Sequence, residues 1–367
     1  MSSDIRVGGV NDLNISSKLV CQFYENNWDR KISLGVFSFY NWQFRLPPEN
    51  LGNDYCCIAV DNNNEVLGVM GLNKRSFYLN GKLRKGAELT TWVVSKKARG
   101  KGVGGKIMNF LKSNYDVLVG MGITDAAIPI YFKSGFRFLR YIPRFVRVFD
   151  QNSISQYCEI NNLSKRLIDK WSKVKNCSYK SNLVNPSELS SLEGHLNSSF
   201  NHFTRNFSSL SWRYENHPVF VYESYIVRGN GEGVGIVFRI DDVESMRILH
   251  IVDFFGDKAD FAAGLSFIND YCFDNGVSVA DFYCPSSIIT RHFTSAGWFS
   301  ILDDYFFQFL HLFHPPELRT PPTTSVIYWA RNDMEYLLDT SKLYITKEDL
   351  DLDRPTADYI ANKNLLG

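Results

Sequence analysis

The residues best suited to chemistry lie in one short run, Arg99-Gly100-Lys101-Gly102-Val103-Gly104-Gly105-Lys106. An apolar stretch from Leu89 to Val94 precedes it, and Ile107-Met108-Asn109-Phe110-Leu111 opens a helical apolar pattern after it. A strand therefore feeds a basic, glycine-rich turn that ends at the N-terminus of a helix. Bare amides, a positive dipole end and the cations Arg99, Lys101 and Lys106 make an anion cradle, with pyrophosphate as the expected ligand. A Walker loop is excluded, because Lys106 is followed by Ile107 and not by Ser or Thr. A dinucleotide fingerprint is disfavoured, because no second parallel-strand pattern follows cleanly.

The spacing that fits is Arg99-x-x-Gly102-x-Gly104, which resembles the coenzyme A loop of the GNAT acyltransferases. Ala127-Ile128-Pro129-Ile130-Tyr131-Phe132-Lys133-Ser134-Gly135-Phe136 is similar to that family's later helix, with its tyrosine four residues before Gly-Phe. The resemblance implies direct attack of an amine on an acyl-CoA thioester, with no covalent enzyme intermediate and no metal. It implies a CoA grip at Arg99, Gly100, Lys101, Gly102, Val103, Gly104, Gly105 and Lys106, and backbone contacts from the strand Thr91, Trp92, Val93 and Val94. It implies an oxyanion donor near Thr91 to Val93, and Tyr131 as acid for the leaving thiolate. Glu88 stands where some relatives keep a carboxylate base. His250 and Asp253 interrupt an apolar run, Ile248 to Phe255, and are further candidates for the base. Their separation of three residues puts them on opposite faces of a strand, so at most one can enter a shared cleft. His202 and His217 flank a tryptophan segment and are weaker candidates.

The elements that must position these groups read as mixed α/β (α+β). A helix is expected from about Ser16 to Asn27, with strands at Asp54–Val60, Val66–Leu72, Leu89–Val94 and Val117–Ile123. Strands at Phe136–Tyr141 and Phe145–Phe149 are expected to close the first sheet. The second half then repeats the first at offsets of roughly 162 to 170 positions. Trp42 recurs as Trp212, the Gly68 strand as the Gly235 strand, Glu88–Trp92 as His250–Phe254, and Gly135-Phe136 as Gly297-Trp298. The chain thus reads as two tandem GNAT-like halves, the second degenerate. The expected division is 1–150, a helical connector 151–179, 180–315 and a C-terminal extension 316–367. In the second half Asp257 and Asp260 replace the glycine loop, and Phe293 replaces Tyr131, so only the first half is expected to hold CoA.

Composition limits the alternatives. The 367 residues carry a net charge of +1, with 44% hydrophobic and 22% charged residues. No nucleic-acid surface is expected from so balanced a charge, and no apolar run spans a bilayer. With no signal-peptide pattern and seven cysteines in no metal or disulfide spacing, a reduced, cytoplasmic protein is expected. Asp349-Leu350-Asp351-Leu352-Asp353-Arg354-Pro355 lacks the glycine and terminal glutamate of a calcium loop and reads as a solvated turn.

The acceptor is the least determined part. Tandem arrangements resemble mycothiol synthases, N-myristoyltransferases, Fem-type aminoacyl transferases and bacterial N-acyltransferases of dTDP-linked amino-dideoxy sugars. The segments Trp42-Gln43-Phe44 and Ser211-Trp212-Arg213-Tyr214 look most like the last group. That resemblance implies a nucleotide-linked amino sugar as acceptor, a role in surface polysaccharide (O-antigen, lipopolysaccharide) synthesis, and substrate contacts from Trp42, Trp212 and Tyr214. A catalytically silent CoA-binding scaffold is the rival from another class.

Overall fold

A computed structural model of the chain describes residues 5–171, 176–302, 307–308, 310–313, 316–318, 320–349 and 352–362. The first sheet begins with β1 (Arg6–Gly9) and β2 (Cys57–Val60), joined through helices α1 (Ser17–Asn27) and α2 (Phe37–Phe44). Ser16 caps α1 by accepting the Lys18 N–H at 3.2 Å. β3 (Val66–Lys74) and β4 (Gly86–Val94) are long central strands, buried over most of their length. Helix α3 (Val103–Asn114) crosses to β5 (Val117–Met121), which runs parallel to β4. The buried residues of α3 are Val103, Ile107, Met108 and Leu111, one stripe at helical spacing. Helix α4 (Ile128–Lys133) and the short edge strand β6 (Arg137–Leu139) follow.

The next strand, β7 (Arg144–Val148), leaves this sheet and pairs in the second. That sheet contains β8 (Lys180–Leu183), β9 (Glu223–Arg228), β10 (Val234–Val243), β11 (Met246–Gly256), β12 (Val279–Tyr283) and β13 (Phe299–Ser300). Helix α5 (Phe261–Asp274) joins β11 to β12, and α6 (Ser287–Ser295) follows β12. The first sheet is completed by β14 (Val326–Ala330), which pairs with both β5 and β6. The orders are β1-β2-β3-β4-β5-β14-β6 and β8-β9-β10-β11-β12-β7-β13.

The halves therefore share one topology, and each lends the other its penultimate strand. This corrects the expectation that Phe145–Phe149 closes the first sheet. β7 pairs with β12 from Val148↔Val279 to Arg144↔Tyr283, so strand pairing crosses position 150. The repeated landmarks coincide locally as well. Gly135 and Gly297 both take a left-handed φ, 83° and 85°. Phe136 N–H donates to Tyr131 O at 3.1 Å, and Trp298 N–H to Phe293 O at 3.0 Å.

Between the halves lies a buried ionic knot. Arg75 meets Glu88 and Glu348, each at 2.8 Å, and Arg205 meets Asp253, Glu348 and Asp349 at 2.8, 2.9 and 2.9 Å. The C-terminal segment that carries Glu348 and Asp349 is thus threaded into the interior. Asp349 and Asp353 are buried, which corrects the expectation of a solvated turn; Asp351 lies outside the described residues. The seven cysteines are free, and adjacent Cys56 and Cys57 pack into cores on opposite faces of β2. Among the described residues no helix is long and apolar enough to cross a membrane.

Candidate active site

β4 and β5 part company at the point where chemistry was expected. Their parallel pairing ends at Leu89↔Gly120. On the other side, β4 carries a bulge against β3: Met70 faces Trp92 while Leu72 faces Leu89, so β4 holds one extra residue around Thr90 and Thr91. The strands open into a cleft of about 740 Å³ lined there by Thr90, Thr91, Trp92, Met121 and Ile123. The Ser95 N–H donates to Leu67 O at 2.9 Å, toward β3. Antiparallel alternation then turns the N–H groups of Val94 and Trp92 the other way, toward the opening. The Thr91 carbonyl accepts from the Tyr24 hydroxyl at 2.9 Å.

Beyond β4 the chain makes a tight turn, Lys96–Ala98, and enters α3 through Gly100 and Gly102, both at φ +77°. A side chain at either would be strained, and a Cβ at Gly100, Gly102 or Gly105 would meet nothing within 4 Å. The approach to the helix N-terminus is open, and its first N–H groups lack intrahelical partners. Gly104 is different: a Cβ there would come within 2.9 Å of the Trp92 ring, so glycine is what lets α3 pack on β4. Arg99 and Lys101 are exposed beside the turn, and Lys106 Nζ donates to Ile5 O at 3.2 Å. The loop is an anion cradle by construction.

Tyr131 comes from α4 to the edge of the same cleft. It is 3% exposed, with its ring edge-on to Trp92 (5.4 Å between centroids) and to Phe136 (5.2 Å). Burial raises its pKa well above the usual phenol value, so the O–H persists at neutral pH as a donor to developing negative charge.

The opposite wall is ionic and comes from the second half: Arg239 and Asp241 on β10, His250 on β11, Asp281 and Tyr283 on β12, with Lys347 and Asp353 from the C-terminal segment. His250 Nδ1 lies 2.8 Å from Asp281 Oδ1 and 2.7 Å from Lys347 Nζ, and its Nε2 is 3.6 Å from Asp241 Oδ2. Burial, reinforced by the Lys347 charge, lowers the imidazole pKa to about 4. Arg354, farther along the segment, donates to Thr91 Oγ1 at 2.9 Å and ties this wall to β4.

Not every expected residue reaches the cleft. Asp253 shares a face of β11 with His250, because a bulge at Val252 pairs the two with Val237 and Arg239, which are two positions apart on β10; this corrects the expectation of opposite faces. Asp253 is fully buried and held by Arg205, Tyr344 and Thr346. Glu88 is buried against Arg75 and Asn73, away from the lining. Trp42, Trp212 and Tyr214 also lie outside the lining: the tryptophans stack on each other in the core, and Tyr214 packs edge-on to Tyr222. The two tryptophans build the join between the halves and Tyr214 belongs to the core of the second, which corrects the expectation of substrate contacts. His202 and His217 are likewise buried, stacked on Tyr78 and Phe220. The residues missed from sequence are Asp241, Asp281 and Lys347. Asp281 sits in an apolar strand, Val279–Tyr283, and a charge there was the one available signal.

At the place corresponding to the anion cradle, the second half is closed by its own carboxylates. Asp260 Oδ1 accepts the N–H groups of Gly229, Asn230 and Gly231 at 2.8 to 2.9 Å, and Asp257 accepts those of Glu232 and Ala259. The turn before α5 is thereby tied to the 229–232 loop by two carboxylates.

Residues 19–131 match the acetyltransferase (GNAT) family model, so the first half carries a GNAT acetyltransferase domain. No curated protein matches the chain. Among solved structures, it is similar to a GCN5-related N-acetyltransferase from Anabaena variabilis, at TM-score 0.54 and 11% identity, over 90% of this chain and 73% of that one. A GCN5-related N-acetyltransferase from Kribbella flavida gives the same score and identity over 90% and 71%. A probable N-acyltransferase from Enterococcus faecalis gives 0.56 and 9% over 93% and 75%. At such identities the likeness is one of fold.

Proposed function

We propose that the protein is an acyl-CoA-dependent N-acyltransferase whose acceptor is a small amine bound between the two halves. The observation that carries this reading is the opening between β4 and β5, with the glycine cradle at one end and the ionic wall of the second half facing it. The pyrophosphate of CoA would rest on Arg99 to Gly105, and the thioester would lie along Trp92 to Val94. The Trp92 N–H is aimed to stabilise the oxyanion that forms when the amine nitrogen attacks the carbonyl carbon. The C–S bond then breaks, and the Tyr131 O–H meets the departing sulfur.

The carboxylates in the turn before α5 support one CoA site per chain and leave the second half to bind the acceptor. Within this proposal the acceptor class is a nucleotide-linked amino-dideoxy sugar, for which a cleft of about 740 Å³ has the room. The test is free-thiol release across a grid of acyl-CoAs against dTDP-amino sugars and simple amines. Turnover with an amine supports transfer, and turnover confined to simple amines removes the sugar. CoA binding without thiol release from any pair sinks the catalytic reading and favours a scaffold.

A further inference from the structure

Lys347 is a lysine buried in the wall of a cleft, and its surroundings offer its N–H bonds a single carboxylate oxygen. Its Nζ stands 2.5 Å from Asp281 Oδ1 and 2.7 Å from His250 Nδ1, and 5.1 Å from the centre of the Tyr283 ring. Asp281 is itself shared, because Arg144 on β7 takes its other oxygen at 2.9 Å. Arg239 and Asp241 stand behind His250 on β10, and Asp353 lies farther along the same segment. Burial lowers the Lys347 pKa to about 8 against the pull of Asp281, with Arg144 adding to the lowering.

A neutral amine has two N–H bonds and one lone pair, whereas an ammonium has three N–H bonds. Asp281 Oδ1 accepts an N–H of Lys347, and the Nδ1–H of His250 donates to the same oxygen at 2.8 Å. Lys347 therefore meets one full acceptor, fewer than the three N–H bonds of an ammonium call for, and it lines the cleft. The same segment places Arg354 on Thr91 of β4, so Lys347 belongs to the strap that spans the cleft from the ionic wall to the acyl-bearing strand.

We propose that Lys347 is the general base of the transfer, taking the proton of the acceptor's ammonium group. This rests on the N-acyl transfer reading above. The N–H bond of the bound ammonium breaks and its proton forms a third N–H on Nζ. The electron pair left on the acceptor nitrogen attacks the thioester carbon, and the pair of the broken C–S bond leaves on sulfur. The new ammonium of Lys347 is balanced by Asp281 and returns its proton to water at the cleft mouth before the next turnover. Neither Glu88 nor Asp253 competes for this role, since both are sealed in the Arg75–Arg205 knot.

Two measurements test it. In the first, the whole protein carries 13Cε-labelled lysine, and the Lys347 signal is identified by its loss in K347R or K347M. A titration midpoint near pH 8 is expected, and one above about 10, the ordinary lysine range, overturns the proposal. In the second, thiol release is followed against pH. The parent's kcat should rise through pH 8. K347R keeps the positive charge but cannot deprotonate. It should lose about 10²- to 10⁴-fold in kcat, along with that rising limb, while calorimetric CoA affinity is unchanged. K347R with the parent's rate and limb makes Lys347 a structural ion-pair partner and overturns the base. A parent that binds CoA but releases no thiol with any amine overturns the transfer reading and the base with it. Turnover combined with a high Lys347 midpoint overturns the base alone.

Discussion

Trp42 and Trp212 stack with ring centroids 5.1 Å apart, and each indole N–H points at the other's backbone carbonyl, at 3.4 and 3.2 Å. The same residue from each repeat thus meets its counterpart across the join between the halves. The contact is reciprocal because the two segments are related by an approximate two-fold, as in an isologous dimer interface.

Truncating either ring should loosen that join. Trp42→Ala and Trp212→Ala are each expected to cost about 3–5 kcal/mol, the usual range for a buried tryptophan. Because the rings touch, the double variant should lose less than the sum. Denaturant unfolding measures both quantities. An additive double variant would mean that the stacking itself contributes nothing.

Gly102→Glu should weaken CoA binding by about 100-fold or more. A side chain at φ +77° costs about 1–2 kcal/mol, and a carboxylate beside the anion site adds repulsion. Asp260→Asn, which loosens the 229–231 loop from the turn before α5, should lower stability without changing CoA affinity. Calorimetric titration of both variants checks the assignment of one CoA site to the first half, and near-normal binding by Gly102→Glu would exclude the loop.

Tyr131→Phe should reduce turnover by about 10²- to 10⁴-fold with acyl-CoA affinity little changed. The ring still packs on Trp92 and Phe136, so the loss would report the hydroxyl alone. Unaltered steady-state rates would leave Tyr131 a packing residue.

His250 and His202 should each draw stability down on acidification between pH 6.5 and about 4. Burial lowers His250 to about 4 and His202 to about 3. Between these values and the ordinary 6.5 the unfolded chain binds more protons than the folded one, so stability rises with pH. It is fully present above 6.5 and is lost as pH falls through the folded pKa values. Each histidine contributes a slope of about 1.4 kcal/mol per pH unit in that window. Denaturant unfolding of His202→Gln should show the slope reduced by one proton, and an unchanged slope would remove His202 from the account.

Asp253→Ala should cost about 3–5 kcal/mol, because it leaves Arg205 short of a partner in a closed interior. His250→Ala, one wall of an open cleft, should cost less stability and more activity. Thermal melting beside thiol release separates the two, and equal stability losses would contradict the division of β11 into a buried ionic end at Asp253 and a cleft end at His250.

What the sequence alone determined was local. The glycine spacing from Arg99 to Lys106 dictated a left-handed turn into a helix, since only glycine takes those φ values freely. The apolar periods located α1, α3 and the central strands, but period two put His250 and Asp253 on opposite faces, because the bulge in β11 leaves no mark on the sequence. The repeat of landmarks foretold two sheets of one order. Tertiary structure decided what depends on partners remote in the chain. β7 and β14 carry the same strand signal whichever sheet they join, so their exchange was invisible. A tryptophan in a core and one in a cleft have the same hydropathy, so Trp42 and Trp212 were misread. Asp349 read as part of a solvated turn, and nothing local marked Lys347 or Glu348 for burial. Burial became affordable only when Asp281, Arg75 and Arg205, from strands and loops far away, closed around them.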